Sequence, residues 1–390
     1  MVGAFIAWEL AKDDSFEVSV LDQDQDKLDR LASRAGSKLK SCLRIDFLNK
    51  ALLSRALGDH DLAIGAAPGF LGLQVMDAVI DAGIPHYCDI SFLPEDFRAL
   101  NGKAKEKGVT VIADMGVAPG LSNVLTAYAC GLLDQPDSAV YYVTGLPQTP
   151  LPPFHYQLVF SPDDVIEEYI RPARIKQNGK TVTVPALSGL HPVHFTGVAE
   201  ELPELEAFHT DGLRTMLDTI PAPNIAEYTL RFPGTAEKME LLREVGLFSK
   251  EPVTVGHQQV IPRELFAALA YPRMKWQEGE AEFTFLRVEV TGEAEGKCMQ
   301  HLFTLYDRGD PHNGFHSMAR ATGLPCLVTG LMLVEKEISK PGVHPPEVLG
   351  FEPAWTQILL REIGHRGLHV NHEVIDCHDC RVRIKSHNPF

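Results

Sequence analysis

A doubly wound parallel α/β sheet followed by a smaller α+β domain is the fold class this sequence predicts. The first 120 residues alternate short β-branched runs with amphipathic helical stretches, the pattern of strands joined by crossover helices. After Gly120 the texture changes to longer strand-rich segments separated by Pro-rich loops. At 390 residues the chain also exceeds one ordinary hydrophobic core.

The elements follow in order. "MVGAFIAWELAK" is an amphipathic helix, and "FEVSVLD" (16–22) is a strand ending in acid. "QDKLDRLASRAG" is a helix closed by Gly36, "CLRIDF" (42–47) a strand and "NKALLSRALGDH" a helix. "DLAIGAAPG" (61–69) is a strand running into small residues, and "GLQVMDAVIDAG" is a helix closed by Gly83. "IPHYCDISF" (84–92) is a strand, "PEDFRALNGKAKEKG" a helix and "VTVIADMGVAPG" (109–120) a strand entering a Gly/Pro turn. Further on, "AEFTFLRVEVTGEAEGKCMQHLFTLYD" reads as a hairpin turning near Gly292–Gly296, and "GLPCLVTGLMLVEKEI" (323–338) as a long apolar helix. The expected division is 1–120 for the parallel domain, completed by part of 316–390, and 121–315 for the α+β domain.

Composition narrows the class. Apolar residues are 45% and charged residues 23%, as in soluble enzymes. No apolar run is expected to reach membrane-spanning length, and the N-terminus lacks the pattern of a signal peptide. The net charge of −16 disfavours nucleic acid or anionic membrane as partner. Seven scattered cysteines are expected as free thiols in a cytoplasmic protein.

In a Rossmann unit, a glycine turn opens the first helix, whose N-terminus holds the pyrophosphate, and an acid ending the second strand holds the adenosine ribose. Gly3 opens the first helix here and Asp22 ends the next strand, which fits that fingerprint. The strand that should precede the helix is missing from the N-terminus. The expectation is therefore that Met1 is an internal methionine of a longer frame, and that without the strand the sheet leaves a gap or closes on itself. Asp22 favours NAD over NADP, because a carboxylate accepts from a ribose 2′-OH and repels a 2′-phosphate. Gly65, Ala66, Ala67 and Pro68, with Gly69, allow close passage of a dinucleotide, and Asp46 is a candidate contact to the adenine.

At "VIADMGVAPGLSNVLTAYA" the sequence resembles the saccharopine dehydrogenase family, most closely its lysine 6-dehydrogenase branch. "HYCDI" (86–90), "ELEAFHTDGLRTML" (204–217), "YTLRFPGTAEKMELL" (228–242), "MARATG" (318–323) and "GVHPPE" (342–347) extend the resemblance over both domains. It implies NAD(P)-dependent hydride transfer at the C–N bond of an amino acid. In the lysine branch the ε-amine carbon gives up hydride, and the imine hydrolyses to a semialdehyde that cyclises. It also implies a homodimer with a Rossmann domain and an α+β domain.

The nicotinamide supplies the redox step, so the protein must orient, deprotonate and shield the amine. A lysine amine with a pKa of about 10.4 needs help to become neutral. Ligands bind at the carboxyl ends of the strands in such sheets. Asp89 stands there and is the preferred contact to the amine or its water, with a turn-capping role as its alternative. Asp114 reads as structural. Pro119, Gly120 and Asn123 should meet the nicotinamide edge. "FHTDGLRTM" offers His209, Thr210 and Arg214, a combination suited to proton transfer and carboxylate binding. His155 and Tyr156 in "PFHYQ" are further candidates, and Arg231 and Arg320 are candidate carboxylate partners, each with local ion pairing as the alternative.

Two motifs are set aside. "TGEAEGKC" has one residue too few between its glycines for a phosphate loop and reads as a hairpin turn. "NHEVIDCHDC" (371–380) combines Cys377 and Cys380 with histidines, but no second cysteine pair accompanies them, so a strand with exposed polar residues is preferred over zinc and no metal is expected. Two functional alternatives stand beside lysine deamination: a saccharopine-type secondary-amine dehydrogenase or reductase, and a non-catalytic dinucleotide- or ligand-binding homologue.

Overall fold

The computed structural model describes residues 1–158, 162–195, 202–309 and 314–376. The chain forms two compact units. One is Met1–Val124 with Ala319–Leu368; the other is Leu125–Met318 with the chain from His369.

The first unit runs α1 (Val2–Leu10), β1 (Val18–Asp22), α2 (Gln25–Ala35), β2 (Leu39–Arg44), α3 (Lys50–Leu57), β3 (Leu62–Gly65), α4 (Gly69–Ala82), β4 (His86–Asp89), α5 (Asn101–Lys107) and β5 (Thr110–Ile112), and the division at Val124 falls within α6 (Leu121–Gly131). Helix boundaries follow local chemistry. Asp24 caps α2 by accepting from the Lys27 amide at 3.2 Å, while Leu28 and Leu31 bury its inner face. Asn49 does the same for α3 through the Leu52 amide at 3.1 Å. β2 stops at Arg44, short of the expected end at Phe47, because Asp46 folds the chain into a turn by accepting from the Leu48 amide at 3.0 Å.

Every strand pair in this unit is parallel. β1 pairs only with β2, while β3, β4 and β5 continue into β16 (Gly342–His344) as a separate four-stranded sheet. β1 and β3 therefore do not pair with each other. The core divides in the same way. One apolar cluster gathers α1, β1 and α2 around Ala7, Ala11, Val18 and Leu31, and a larger one packs α3 and α4 on β4 and β5 through Leu53, Met76, Val79, Tyr87 and Val111.

The second unit runs β6 (Gln135–Pro147), α7 (Pro162–Ile170), β7 (Ala173–Gln177), β8 (Lys180–Val184), β9 (His191–Val193), β10 (Leu205–His209), α8 (Met216–Thr219), β11 (Asn224–Arg231), α9 (Thr235–Glu244), β12 (Val253–Val255), β13 (Gln258–Val260), α10 (Pro262–Met274), β14 (Glu282–Ala294) and β15 (Lys297–Asp307). α11 (Ser317–Val334), α12 (Glu347–Gly350), α13 (Pro353–His365) and β17 (Val370–Asp376) complete the described chain. The main sheet has nine strands in the order β17-β15-β14-β6-β11-β10-β9, with β7 and β8 attached to β11. The expected hairpin is β14–β15, which turns at Glu295 and Gly296 with φ of +51° and +72°.

Two expectations are corrected. α11 begins at Ser317, six residues before the expected Gly323, and its 18 residues are long and apolar enough to cross a membrane by length and composition. Of that stretch 78% is buried inside the protein, as in a core helix. Cys42, Cys88, Cys130 and Cys326 are free, but Cys298 is disulfide-bonded, so not every thiol is free. Residue spacing carries no information on which cysteines meet in space.

Candidate active site

In the first unit, parallel pairing brings the carboxyl ends of the strands to one edge. Asp22 ends β1, half-buried, and accepts from the Asp24 amide at 2.9 Å. Gly3 lies in the first turn of α1, where a Cβ would stand 3.0 Å from the Ala66 Cβ. Backbone therefore runs close to backbone where Gly65, Ala66, Ala67 and Pro68 lead from β3 into α4. Ala66 and Pro68 are exposed. A carboxylate at one strand end and small residues at the next fit the ribose and pyrophosphate of a dinucleotide. Asp46 is exposed and takes part in its own turn.

Asp89 ends β4 completely buried. Its Oδ1 accepts from the Tyr87 hydroxyl at 2.8 Å and the Ser91 hydroxyl at 3.0 Å, and its Oδ2 accepts from the Ser91 amide at 2.9 Å. A Cβ at Gly65 would overlap both Asp89 Oδ1 and Tyr87 Oη, so glycine is what admits this carboxyl against the end of β3. Burial pushes the acid up to about 7, with the charge of Asp114 adding to the rise and the bonds from Tyr87 and Ser91 opposing it. A carboxyl raised toward neutrality is suited to proton transfer.

The turn after β5 is closed on itself. Gly116 N–H donates to Pro119 C=O at 3.0 Å, and Leu121 N–H to Gly116 C=O at 2.8 Å. Asp114 precedes it, buried, with φ +54°. Asn123 Oδ1 accepts from the Gly120 amide at 3.0 Å and the Ser122 hydroxyl at 3.1 Å, which fixes the orientation of its amide. Its Nδ2 is buried without a hydrogen-bond partner among the described residues. That donor suits a carboxamide oxygen such as the nicotinamide's.

The second unit holds the other candidates. His209 ends β10, buried, with its ring stacked on Tyr228 at 4.3 Å between centroids. Its Nδ1 lies 3.2 Å from the Glu227 carbonyl, so Nδ1 carries the proton and Nε2 holds the lone pair. Burial lowers its pKa, so the ring is neutral near pH 7. Thr210 follows it, and Arg214 is half-buried with φ +53°, a conformation sparsely populated outside glycine.

Four sequence candidates make contacts within their own units. Arg231 is 2% exposed and saturated by its own unit. Nη2 pairs with Glu168, Nε donates to the Tyr169 hydroxyl at 3.0 Å, Nη1 donates to the Leu230 carbonyl at 2.8 Å, and the Tyr156 ring lies 4.5 Å beneath the guanidinium. It is a core arginine whose guanidinium is engaged by partners within its own unit. Tyr156 is buried with that arginine. His155 lies in a loop with Lys238 Nζ at 3.3 Å from Nδ1, and burial and that ammonium lower its pKa. Arg320, in the first unit, donates to the Gly367 carbonyl at 3.2 Å.

Glu227 is not among the residues that the sequence singles out. It is buried in β11, bonded to the Thr210 hydroxyl at 3.0 Å and to the Gly212 amide, and burial pushes it up to about 8. The signal was an acid in the middle of the apolar strand "IAEYTL". Among the described residues there is no group of three or more metal-ligating side chains. His372 meets His301 at 3.0 Å between ring nitrogens, while Cys377, His378 and Cys380 lie outside the described residues.

A parallel sheet with a buried carboxyl at its carboxyl edge and small residues leading into the next helix is the architecture of a nicotinamide-dependent dehydrogenase domain. Models of the saccharopine dehydrogenase NADP binding domain and C-terminal domain match residues 1–112 and 116–368. The chain belongs to the saccharopine dehydrogenase family, oxidoreductases acting on amino-acid C–N bonds with a nicotinamide dinucleotide. Carboxyaminopropylagmatine dehydrogenase of Synechocystis is 22% identical over 96% of both chains. The L-glutamate-forming, NADP-dependent saccharopine dehydrogenase of Schizosaccharomyces pombe is 24% identical over 86% of this chain and 88% of its own. In fold, the chain is similar to apo saccharopine dehydrogenase from Saccharomyces cerevisiae, with a TM-score of 0.79 at 18% identity over 96% of this chain and 97% of that one.

Proposed function

We propose that the protein oxidises the ε-amine of L-lysine, or of a closely similar ω-amino acid, with NAD as hydride acceptor. The observation that carries the choice is the saturation of Arg231 inside its own unit. A secondary-amine substrate assembled from two amino acids brings an additional carboxylate and needs an additional arginine clamp. Asp89 takes the proton that the amine must lose, and Asn123 orients the carboxamide of the cofactor through Nδ2.

A saccharopine-type secondary-amine reaction is the second reading. Relatives named carboxyaminopropylagmatine dehydrogenase and saccharopine dehydrogenase favour it. The two separate in one assay. L-lysine with NAD should yield NADH and a cyclic imine with no 2-oxo acid present. A requirement for a 2-oxo acid in NADH oxidation moves the assignment to the second reading, and turnover with no primary or secondary amine defeats both.

The cofactor preference rests on Asp22. Asp22→Ser should weaken NAD binding about tenfold and improve NADP binding, because the lost ribose bonds amount to about 1.4 kcal/mol and the repulsion of a 2′-phosphate goes with them. Fluorescence titration with both reduced cofactors reads this out, and an unchanged ratio removes Asp22 from the ribose site.

A further inference from the structure

Tyr87 is buried in the core of the first unit, yet its hydroxyl has a fixed polar partner. Strand periodicity puts Tyr87 and Asp89, two residues apart on β4, on the same face. Gly65 on β3 is the register partner of Asp89. A Cβ at Gly65 would overlap both the Tyr87 hydroxyl and the Asp89 carboxyl, so the two groups meet in the space of the absent side chain. Gly72 on α4 makes the same room for Ser91, whose Cβ would stand 2.8 Å from a Cβ there. All of these residues belong to the first unit.

The two oxygens of the Asp89 carboxylate are therefore unequal. Oδ1 accepts from the Tyr87 hydroxyl at 2.8 Å and the Ser91 hydroxyl at 3.0 Å, which engages both of its lone pairs. Oδ2 accepts from the Ser91 amide at 2.9 Å and keeps one lone pair. The backbone is held as well, because the Asp89 carbonyl accepts from the Met115 amide at 2.8 Å and the Ile90 amide donates to the Gly65 carbonyl at 3.0 Å. The other titratable groups facing the carboxyl are Asp114 after β5 and Cys326 on α11, whose thiol burial keeps protonated. Neither brings positive charge, so the two hydroxyls and the amide are what stabilises the ionised form.

We propose that Tyr87 is a positioning residue for proton transfer: its hydroxyl, with that of Ser91, occupies Oδ1 of Asp89 and leaves Oδ2 as the atom that takes the proton of the amine. The inference rests on the assignment of Asp89 as the base. In that step the ammonium N–H bond breaks, its electron pair stays on nitrogen, and the proton forms the Oδ2–H bond, while the hydroxyls of Tyr87 and Ser91 keep their own protons. A donor that binds the carboxylate more tightly than the carboxylic acid favours the ionised base. Without the Tyr87 hydroxyl, Oδ1 keeps a single donor in a buried site, and the base ionises only at higher pH. Phenylalanine fills the place of the ring, so a tyrosine that served packing alone could be replaced without moving the titration.

The test is kcat as a function of pH for the full chain, with L-lysine and NAD both saturating. In Tyr87→Phe the rise of kcat should move about one pH unit to the alkaline side, the shift for loss of one hydrogen bond to a charged group. The rate should be about tenfold below wild type at pH 6 and within about threefold of it above pH 9, with KM for both substrates within about threefold. Ser91→Ala, which keeps the amide bond to Oδ2 and removes the hydroxyl bond to Oδ1, should move the rise in the same direction. If Tyr87→Phe does not fold, Ser91→Ala decides, and an unmoved rise there overturns the proposal. A Tyr87→Phe that folds with its rise in the wild-type position overturns it too, as does a loss of rate of equal size at every pH, the mark of a packing role. Asp89→Asn separates the two levels of inference. If that variant keeps the wild-type kcat, the assignment of the base fails and this inference with it. If it loses kcat while Tyr87→Phe leaves the rise in place, the inference fails alone. A wild type that turns over no amine defeats the proposed function and the inference together.

Discussion

Asp89→Asn should lower kcat for amine oxidation by about 10²–10⁴-fold, the range for loss of a positioned general base. Its environment makes the substitution informative. Asparagine can take the site with Oδ1 accepting from the Ser91 amide and Nδ2 donating to the Tyr87 and Ser91 hydroxyls, which rotate to receive it. The strand end is preserved and the proton acceptor is gone. The pH dependence sharpens the test. A base held at about 7 works when ionised, so the wild-type rate should rise through pH 7 and level off above it, and Asp89→Asn should lose that rise. For stability the sign is opposite. The folded value lies above the ordinary 3.8, so the folded state holds the proton more tightly than the unfolded chain. Its stabilising contribution is complete below about pH 4 and is lost as pH rises through 7. Asp89→Asn should therefore melt no lower than the wild type at pH 8. If kcat is unchanged, the carboxyl is a turn acid and another group deprotonates the amine.

The parallel domain was legible because its signals are local. Alternation of β-branched and amphipathic segments needs no knowledge of distant contacts, and neither does Gly83, which closes α4 in a left-handed conformation. The same holds for the β14–β15 hairpin, where the residues that looked like a phosphate loop pair as Glu293 with Cys298 and Ala294 with Lys297. The roles of individual polar residues were less legible, because each depends on partners far away in the chain. Arg231, on strand β11, looked available for substrate since its acid, Glu168, is 63 residues away, in helix α7. Asp89 was placed correctly at a strand end, but the rise of its pKa comes from burial against residues distant in sequence such as Gly65 and from Asp114, which no local pattern reports. Glu227 went unnoticed because its partners lie 15 and 17 residues upstream, in the segment after β10.

Arg231→Met should cost about 3–5 kcal/mol of stability, the range found when one partner of a buried ion pair is removed. The guanidinium fills its site through directed contacts on three sides, to Glu168, Tyr169 and the Leu230 carbonyl, over the Tyr156 ring. Methionine restores much of the volume and none of the bonds, leaving the Leu230 carbonyl and the Tyr169 hydroxyl without this partner. Lysine does little better, since a single ammonium cannot reproduce the planar fork of donors. Urea titration at pH 7 should show the midpoint falling with an unchanged slope. Replacing Glu168 by Gln in the Arg231→Met background should cost much less than it does in the wild type, because its ion-pair partner is already gone. Under conditions where the variant remains folded, its KM for the amino acid should stay within about threefold of the wild type. A variant that keeps its midpoint and loses KM by a hundredfold would instead restore Arg231 as a carboxylate partner. It would also reopen the two-carboxylate, secondary-amine reaction that the saturation of this residue argues against.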